Sequence, residues 1–220
     1  YSIADFRAGT ERNIREATKW WVENDIDEAE REELDPDLAA CFPVFLDGKT
    51  KTGFHVVTVH PGKFKHSSTI QKYGPERVLH YWIQILAKTH KVTFDLSLEA
   101  VRLKKFKGDI YSLPLIQKHL SIVDFNEMHF SDFLSGSVLS IYLAVVKMIV
   151  TNFQFLDGVI IVINAGKTAE IFLKLLRPLL RGSNLELVVF GSNEDEWKPF
   201  ILQYVDPSEI RPDFGGCKKD

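Results

Sequence analysis

The chain has 220 residues, of which 45% are hydrophobic and 26% charged, the usage of a globular protein with room for one large domain or a main domain plus a short helical appendage. A formal net charge of −3 supplies no overall basic field to draw it to nucleic acid or to an anionic membrane. A chain this long buries a core without staples, and its two cysteines, Cys41 and Cys217, form neither a Cys-x-x-Cys pair nor a zinc spacing with histidine.

This cysteine usage fits a reducing compartment, with a single long-range disulfide as the alternative. The polar N-terminus holds no apolar signal core. The longest apolar run, residues 138–150, is interrupted by Lys147 and is too short to span a bilayer. A cytoplasmic location is therefore expected.

Residues 11–32 carry Ile14, Ala17 and Trp21 on one face and charges on the other, which predicts a helix, and Asp35-Pro36 breaks the pattern. Residues 52–60, closed by Pro61-Gly62, predict a strand. A helix is expected over 75–89, with Pro75 in its first turn and Val78, Trp82, Ile85 and Leu86 on one face. Residues 91–117 are ambiguous. Alternation at Phe94, Leu96 and Leu98 hints at a strand, the basic cluster Arg102, Lys104, Lys105 and Lys107 reads as a solvated loop or a membrane-docking patch, and Gly108 and Pro114 mark loops. Beyond 119 the pattern is regular: a strand over 120–125 containing Asp124, an apolar helix over 131–152, a buried strand over 159–163, a helix over 167–180, a strand over 185–190 and a polar helix over 194–204. Strands alternating with helices predict an α/β fold with a mostly parallel sheet and right-handed crossovers.

The helix at 167–180 carries more apolar side chains than one packed face needs, since Ile171, Phe172, Leu173, Leu175, Leu176, Leu179 and Leu180 wrap most of the way round. Periodicity alone leaves two readings: a central buried helix, or a helix that covers an apolar cavity.

Several familiar motifs fail on inspection. Gly166-Lys167-Thr168 follows a strand as a P-loop end would, but the Gly required five residues earlier is Ile161. Gly136-Ser137 lacks the nucleophile elbow. His55 and His60 have no third metal ligand nearby in sequence. Asp124 ends a strand, where an α/β enzyme can place an acid, and the family resemblance described below implies a structural role for it instead. No catalytic residue, metal or cofactor is expected, and the chain is read as a non-enzyme.

The C-terminal stretch is more specific. Phe190-Gly191-Ser192-Asn193, then a helix, then Ile210-Arg211-Pro212-Asp213-Phe214-Gly215-Gly216, resembles the closing motif of CRAL-TRIO lipid-binding domains. Upstream, Ile163-Asn164-Ala165, Leu176-Arg177-Pro178-Leu179-Leu180, Ser121-Ile122-Val123-Asp124 and the stretch from Gly53 to Pro61-Gly62-Lys63 resemble successive landmarks of that family. Phe6-Arg7-Ala8 and the following helix to Trp20-Trp21 resemble the end of its N-terminal helical domain, which divides the chain into residues 1–34 and a lipid-binding domain over 35–220.

The resemblance implies a sheet floor and apolar helices around one hydrophobic ligand, with 167–180 as a mobile gate. It implies transfer of a lipid, vitamin-like or sterol-like molecule by a monomer that touches a membrane transiently, without nucleic acid. The alternative is a regulatory protein-interaction module of the same fold. Alignment to the tocopherol and retinaldehyde carriers of the family assigns ligand contact to Ile149, Phe153, Phe155, Ile160, Phe172, Leu175, Leu176 and Leu180. The positions that recognise inositol phosphate in the phosphatidylinositol-transferring branch fall on Gly9 or Thr10, Phe155 and Glu186, so that lipid is disfavoured as cargo.

Overall fold

The structure, a computed structural model, describes residues 3–102, 119–128, 136–153, 156, 158–180, 183 and 185–219. In chain order the elements are α1 (Ile3–Glu23), α2 (Ile26–Arg31), α3 (Pro36–Cys41), β1 (Val44–Lys49), β2 (His55–Val59), α4 (His66–Tyr73), α5 (Pro75–Arg102), β3 (His119–Asp124), α6 (Gly136–Asn152), β4 (Gly158–Ile163), α7 (Lys167–Leu180), β5 (Glu186–Val189) and α8 (Glu194–Tyr204). Both cysteines are free thiols.

Three local differences from the sequence expectation have physical causes. The helix over 11–32 is two helices, because Asp25 adopts a left-handed conformation at φ 45°, which a short polar side chain tolerates. Asp35-Pro36 starts a helix rather than only ending one: the Asp35 carboxylate accepts from the Asp37 and Leu38 amides, and Pro36 occupies the first turn. The expected strand at 94–98 is the continuation of α5, since no Gly or Pro stands between Glu76 and Lys107 to stop the helix. Thr89 and Thr93 turn their hydroxyls back onto the Ile85 and Thr89 carbonyls at 2.7 and 2.9 Å, as helix-interior threonines do. The remainder of the ambiguous stretch, 103–118, lies outside the described residues, as do the first residues of the helix expected at 131.

The sheet runs in chain order, β1-β2-β3-β4-β5, with β1 antiparallel to β2 and the remaining pairs parallel. β1 was not anticipated, because Asp47-Gly48 interrupts its pattern. The register skips between Leu46 and Gly48, so Asp47 is the extra residue of a bulge. Gly48 is required there, since a Cβ would lie 1.9 Å from the Glu209 carbonyl oxygen.

Chain-order strands with right-handed crossovers send every connecting helix to the same face of the sheet. α5, α6 and α7 accordingly gather on one face with α3 and α4, and their core includes Phe42, Val78, Tyr81, Ile141, Leu173 and Leu176. The other face is covered by α8 and the C-terminal tail, through Trp197, Ile201, Ile210 and Phe214. α1 and α2 brace the outside of α5 and α6 through Ile26, Ala29, Leu86 and Met148. Trp21 Nε1 fixes that contact by donating to the Asn152 carbonyl at 2.8 Å.

Candidate functional site

On the crowded face the helices do not fill the space above the sheet. A cavity of about 190 Å³ remains. Its floor is Val59, Val123, Ile160, Val162 and Leu187, one or two inward residues from each parallel strand. α6 supplies Ile141, Val145 and Ile149 as one wall, and α7 supplies Leu173, Leu176 and Leu180 as another. Phe42, Phe64, Ile70, Val78 and Trp82 close the remaining side. Their rings interlock: Phe42 meets Phe64 edge-on at 5.5 Å and Trp82 at 5.7 Å.

Two polar side chains, His66 and Tyr142, stand among the described lining residues, which include no Lys or Arg. His66 is buried, with Nε2 3.0 Å from the Pro61 carbonyl oxygen and 3.3 Å from the Tyr142 hydroxyl.

The structure brings half of the expected ligand contacts together. Ile149, Ile160, Leu176 and Leu180 all line the cavity. Leu175 does not: it is 51% exposed on the outer face of α7, beside Ile171 at 48%, because helical rotation turns 173, 176 and 180 inward and 171 and 175 outward. Phe153 does not line it either. It follows the end of α6 and buries its ring against Trp20, Trp21 and His90, at 5.8, 5.5 and 5.8 Å, so it anchors the N-terminal helices. Phe155 and the side chain of Phe172 lie outside the described residues.

Glu186 is exposed, and β alternation turns it away from the cavity that Leu185 and Leu187 line on either side. A head group in the cavity would therefore not meet it. Thr10 lies on α1, along an outer groove with Ile14 and Val22.

Sequence reasoning missed Phe42, Phe64, His66 and Ile70, which come from short elements with little periodicity. The cue available was the density of aromatic residues around Pro43 and Pro61.

The outer face of α7 settles the earlier choice. Lys174, Leu175, Arg177 and Pro178 are exposed, so α7 is a wall of the cavity and not a central buried helix.

A polar cluster links the strand ends. Asp124 is buried, and its Oδ1 accepts from the Asn126 amide at 2.8 Å and from Asn164 Nδ2 at 2.7 Å. His60, also buried, lies with Nδ1 3.1 Å from Asp124 Oδ2 and Nε2 3.5 Å from Asp213 Oδ2, within ion-pairing reach but out of hydrogen-bond alignment. Among the described residues no group of His, Cys, Asp and Glu could hold a metal ion. His119, buried at the start of β3, shares a 3.0 Å hydrogen bond with Ser121, and its pKa is pushed down to about 4 by desolvation, with the neighbouring His55 adding to the effect. Among the described residues no helix is long and apolar enough to cross a membrane.

No curated protein matches this sequence. A solved structure described as the crystal structure of Sfh5 is similar in fold, with a TM-score of 0.66 at 13% identity over 95% of this chain and 68% of that one. The family profile of the CRAL/TRIO domain matches residues 40–216, from the end of α3 to the second glycine of the closing motif. The sheet in chain order, the helices gathered on one face and that match together place the chain in the CRAL/TRIO family, whose domains typically bind and transfer lipophilic ligands.

Proposed function

We propose that this protein binds one small hydrophobic molecule, lipid-like, vitamin-like or sterol-like, in the cavity beneath α7 and carries it between membranes, with α7 as the gate. The observation that carries the reading is a cavity lined almost wholly by apolar side chains, with α7 as one wall whose other face is exposed. Each buried CH₂ of a ligand contributes ~0.8 kcal/mol, so ten carbons supply on the order of 8 kcal/mol before ordering costs. A cavity of roughly 150 Å³ accommodates benzene. At about 190 Å³, this one takes a ring or a short chain as it stands, and a longer cargo requires a wall to yield.

α7 is suited to that part. It has one buried face, made by Ala169, Leu173 and Leu176, and its backbone hydrogen bonds are its own. Its exposed Ile171 and Leu175, flanked by Lys174 and Arg177, suit a transient membrane contact. The reading assigns residues 1–34 to a bracing helical segment, residues 35–220 to the lipid-binding domain, and no catalytic step or cofactor to either.

Intact-mass measurement under native conditions, with organic extraction of the purified protein, tests this. One hydrophobic molecule per chain is expected. A protein that is empty and takes up nothing from a panel of retinoids, tocopherols, sterols and phospholipids refutes it.

A further inference from the structure

Resting on that reading, we propose that the cavity has two chemically different poles and orients its cargo between them: an aromatic or conjugated ring lies at the strand exits, against Phe42, Phe64 and Trp82, and an aliphatic tail runs toward the end of α7.

The poles follow from the connectivity. α6 joins β3 to its parallel neighbour β4, and α7 joins β4 to its parallel neighbour β5, so both helices run back against the strand direction. Ile141 and Tyr142, in the first half of α6, therefore lie over the strand exits. Ile149 and Leu180, near the ends of α6 and α7, lie toward the strand starts.

At the exits the lining is aromatic. Phe42 follows α3, Phe64 follows the turn that leaves β2, and Trp82 stands in the first third of α5. Each of the three rings meets the other two, with centroids 5.5, 5.7 and 6.0 Å apart. Three separate elements hold the trio, so it is preorganised before any ligand arrives. At the other pole the described lining is branched aliphatic: Ile149, Ile160, Leu180, Leu185 and Leu187.

Burial of hydrocarbon is non-directional, and by itself it lets either half of a ligand occupy either pole. Aromatic rings add edge-to-face and offset contacts beyond the area they bury. A ligand ring gains those contacts only at the exits, so the trio sets the orientation. The tail then points at the last turn of α7. Pro178 stands in that turn and has no N–H for the Lys174 carbonyl, so the helix closes there with one hydrogen bond fewer. A tail too long for about 190 Å³ therefore meets the wall at its weakest turn.

The test is headspace partitioning of ethylbenzene and ethylcyclohexane over solutions of the wild-type protein, Trp82→Leu and Leu180→Ala, with circular dichroism as the folding check. Phe64→Leu carries the same test as Trp82→Leu from a different element. For each variant the loss of affinity relative to wild type is compared between the two ligands, which cancels their different partitioning from water. Removal of one ring from the trio should weaken ethylbenzene by roughly two- to tenfold more than ethylcyclohexane, and Leu180→Ala should weaken both by the same factor. Ring variants that weaken both ligands equally, or a Leu180→Ala protein that discriminates as the ring variants do, overturn the orientation while leaving the cavity a binding site. If the wild-type protein binds neither ligand, the binding reading fails and the orientation with it.

Discussion

Filling the cavity should separate stability from binding. Val162 is buried in the middle of β4 and forms part of the floor. Val162→Phe adds four carbon atoms pointing into a void of about 190 Å³. At ~0.8 kcal/mol per buried carbon, the new ring gains about 3 kcal/mol of burial. Adjustment of its neighbours costs roughly 1–3 kcal/mol. The net effect on folding is therefore near zero, and the melting temperature should move by only a few degrees. The ligand, by contrast, is deprived of space for about four of its own carbons, again about 3 kcal/mol, so affinity should fall by at least about a hundredfold. Displacement of a fluorescent retinoid or fatty-chain probe measures the affinity, and differential scanning calorimetry the stability. A Val162→Phe protein that keeps wild-type affinity shows that cargo sits elsewhere. One that loses affinity only because it has unfolded shows that the void is not real.

Other perturbations probe different parts of the same picture. Leu176→Asp places an unpartnered carboxylate in the cavity wall, at a cost of several kcal/mol or a raised pKa, whereas Lys174→Asp changes only the exposed face; ligand retention during gel filtration should collapse in the first and persist in the second, and equal losses at equal folding would mean that the wrong face of α7 was assigned. His119, at about 4 when folded against 6.5 as a model imidazole, stays neutral in the native state. The unfolded chain therefore binds the proton first, so stability holds above pH 6.5 and declines as pH falls toward 4, by on the order of 3 kcal/mol for this residue. Urea midpoints across that range should show the decline, and His119→Gln should flatten it; an unchanged slope in that variant removes His119 as the cause. Labelled phosphatidylinositol should move between vesicles more slowly than tocopherol, retinoid or sterol, since the described cavity lining lacks cations; fastest transfer of phosphatidylinositol would contradict this.

The fold was legible from residue 119 onward because buried parallel strands and the helices between them carry strong, separable patterns, and α7 and α8 fall where periodicity puts them. The first hundred residues were harder for local reasons. A bulge hid β1, an N-cap looked like a breaker at Asp35, and a short alternation disguised the uninterrupted helix through Leu98. Of the residues that landmark alignment picks, Ile149, Ile160, Leu176 and Leu180 line the cavity and Leu175 is turned out of it. Leu175 is one helical step from facing inward, and Glu186 one strand step, and no composition signal distinguishes such neighbours. Phe42, Phe64, His66 and Ile70 come from segments too short to show a period.

The carboxylate of Asp124 carries a consequence for the order in which the domain can be completed. It ties the exits of three parallel strands: β2 through His60, β3 through the Asn126 turn and β4 through Asn164. His60 in turn reaches Asp213, near the far end of the chain. During synthesis this carboxylate is made forty residues before Asn164 and almost ninety before Asp213, so its Asn164 partner arrives only with the end of β4 and the His60–Asp213 contact only with the closing motif. The segment that carries Ile210 and Phe214 accordingly completes the core on the α8 face of the sheet. A nascent chain halted after β5 should remain a substrate for chaperones even though every parallel strand has already been made.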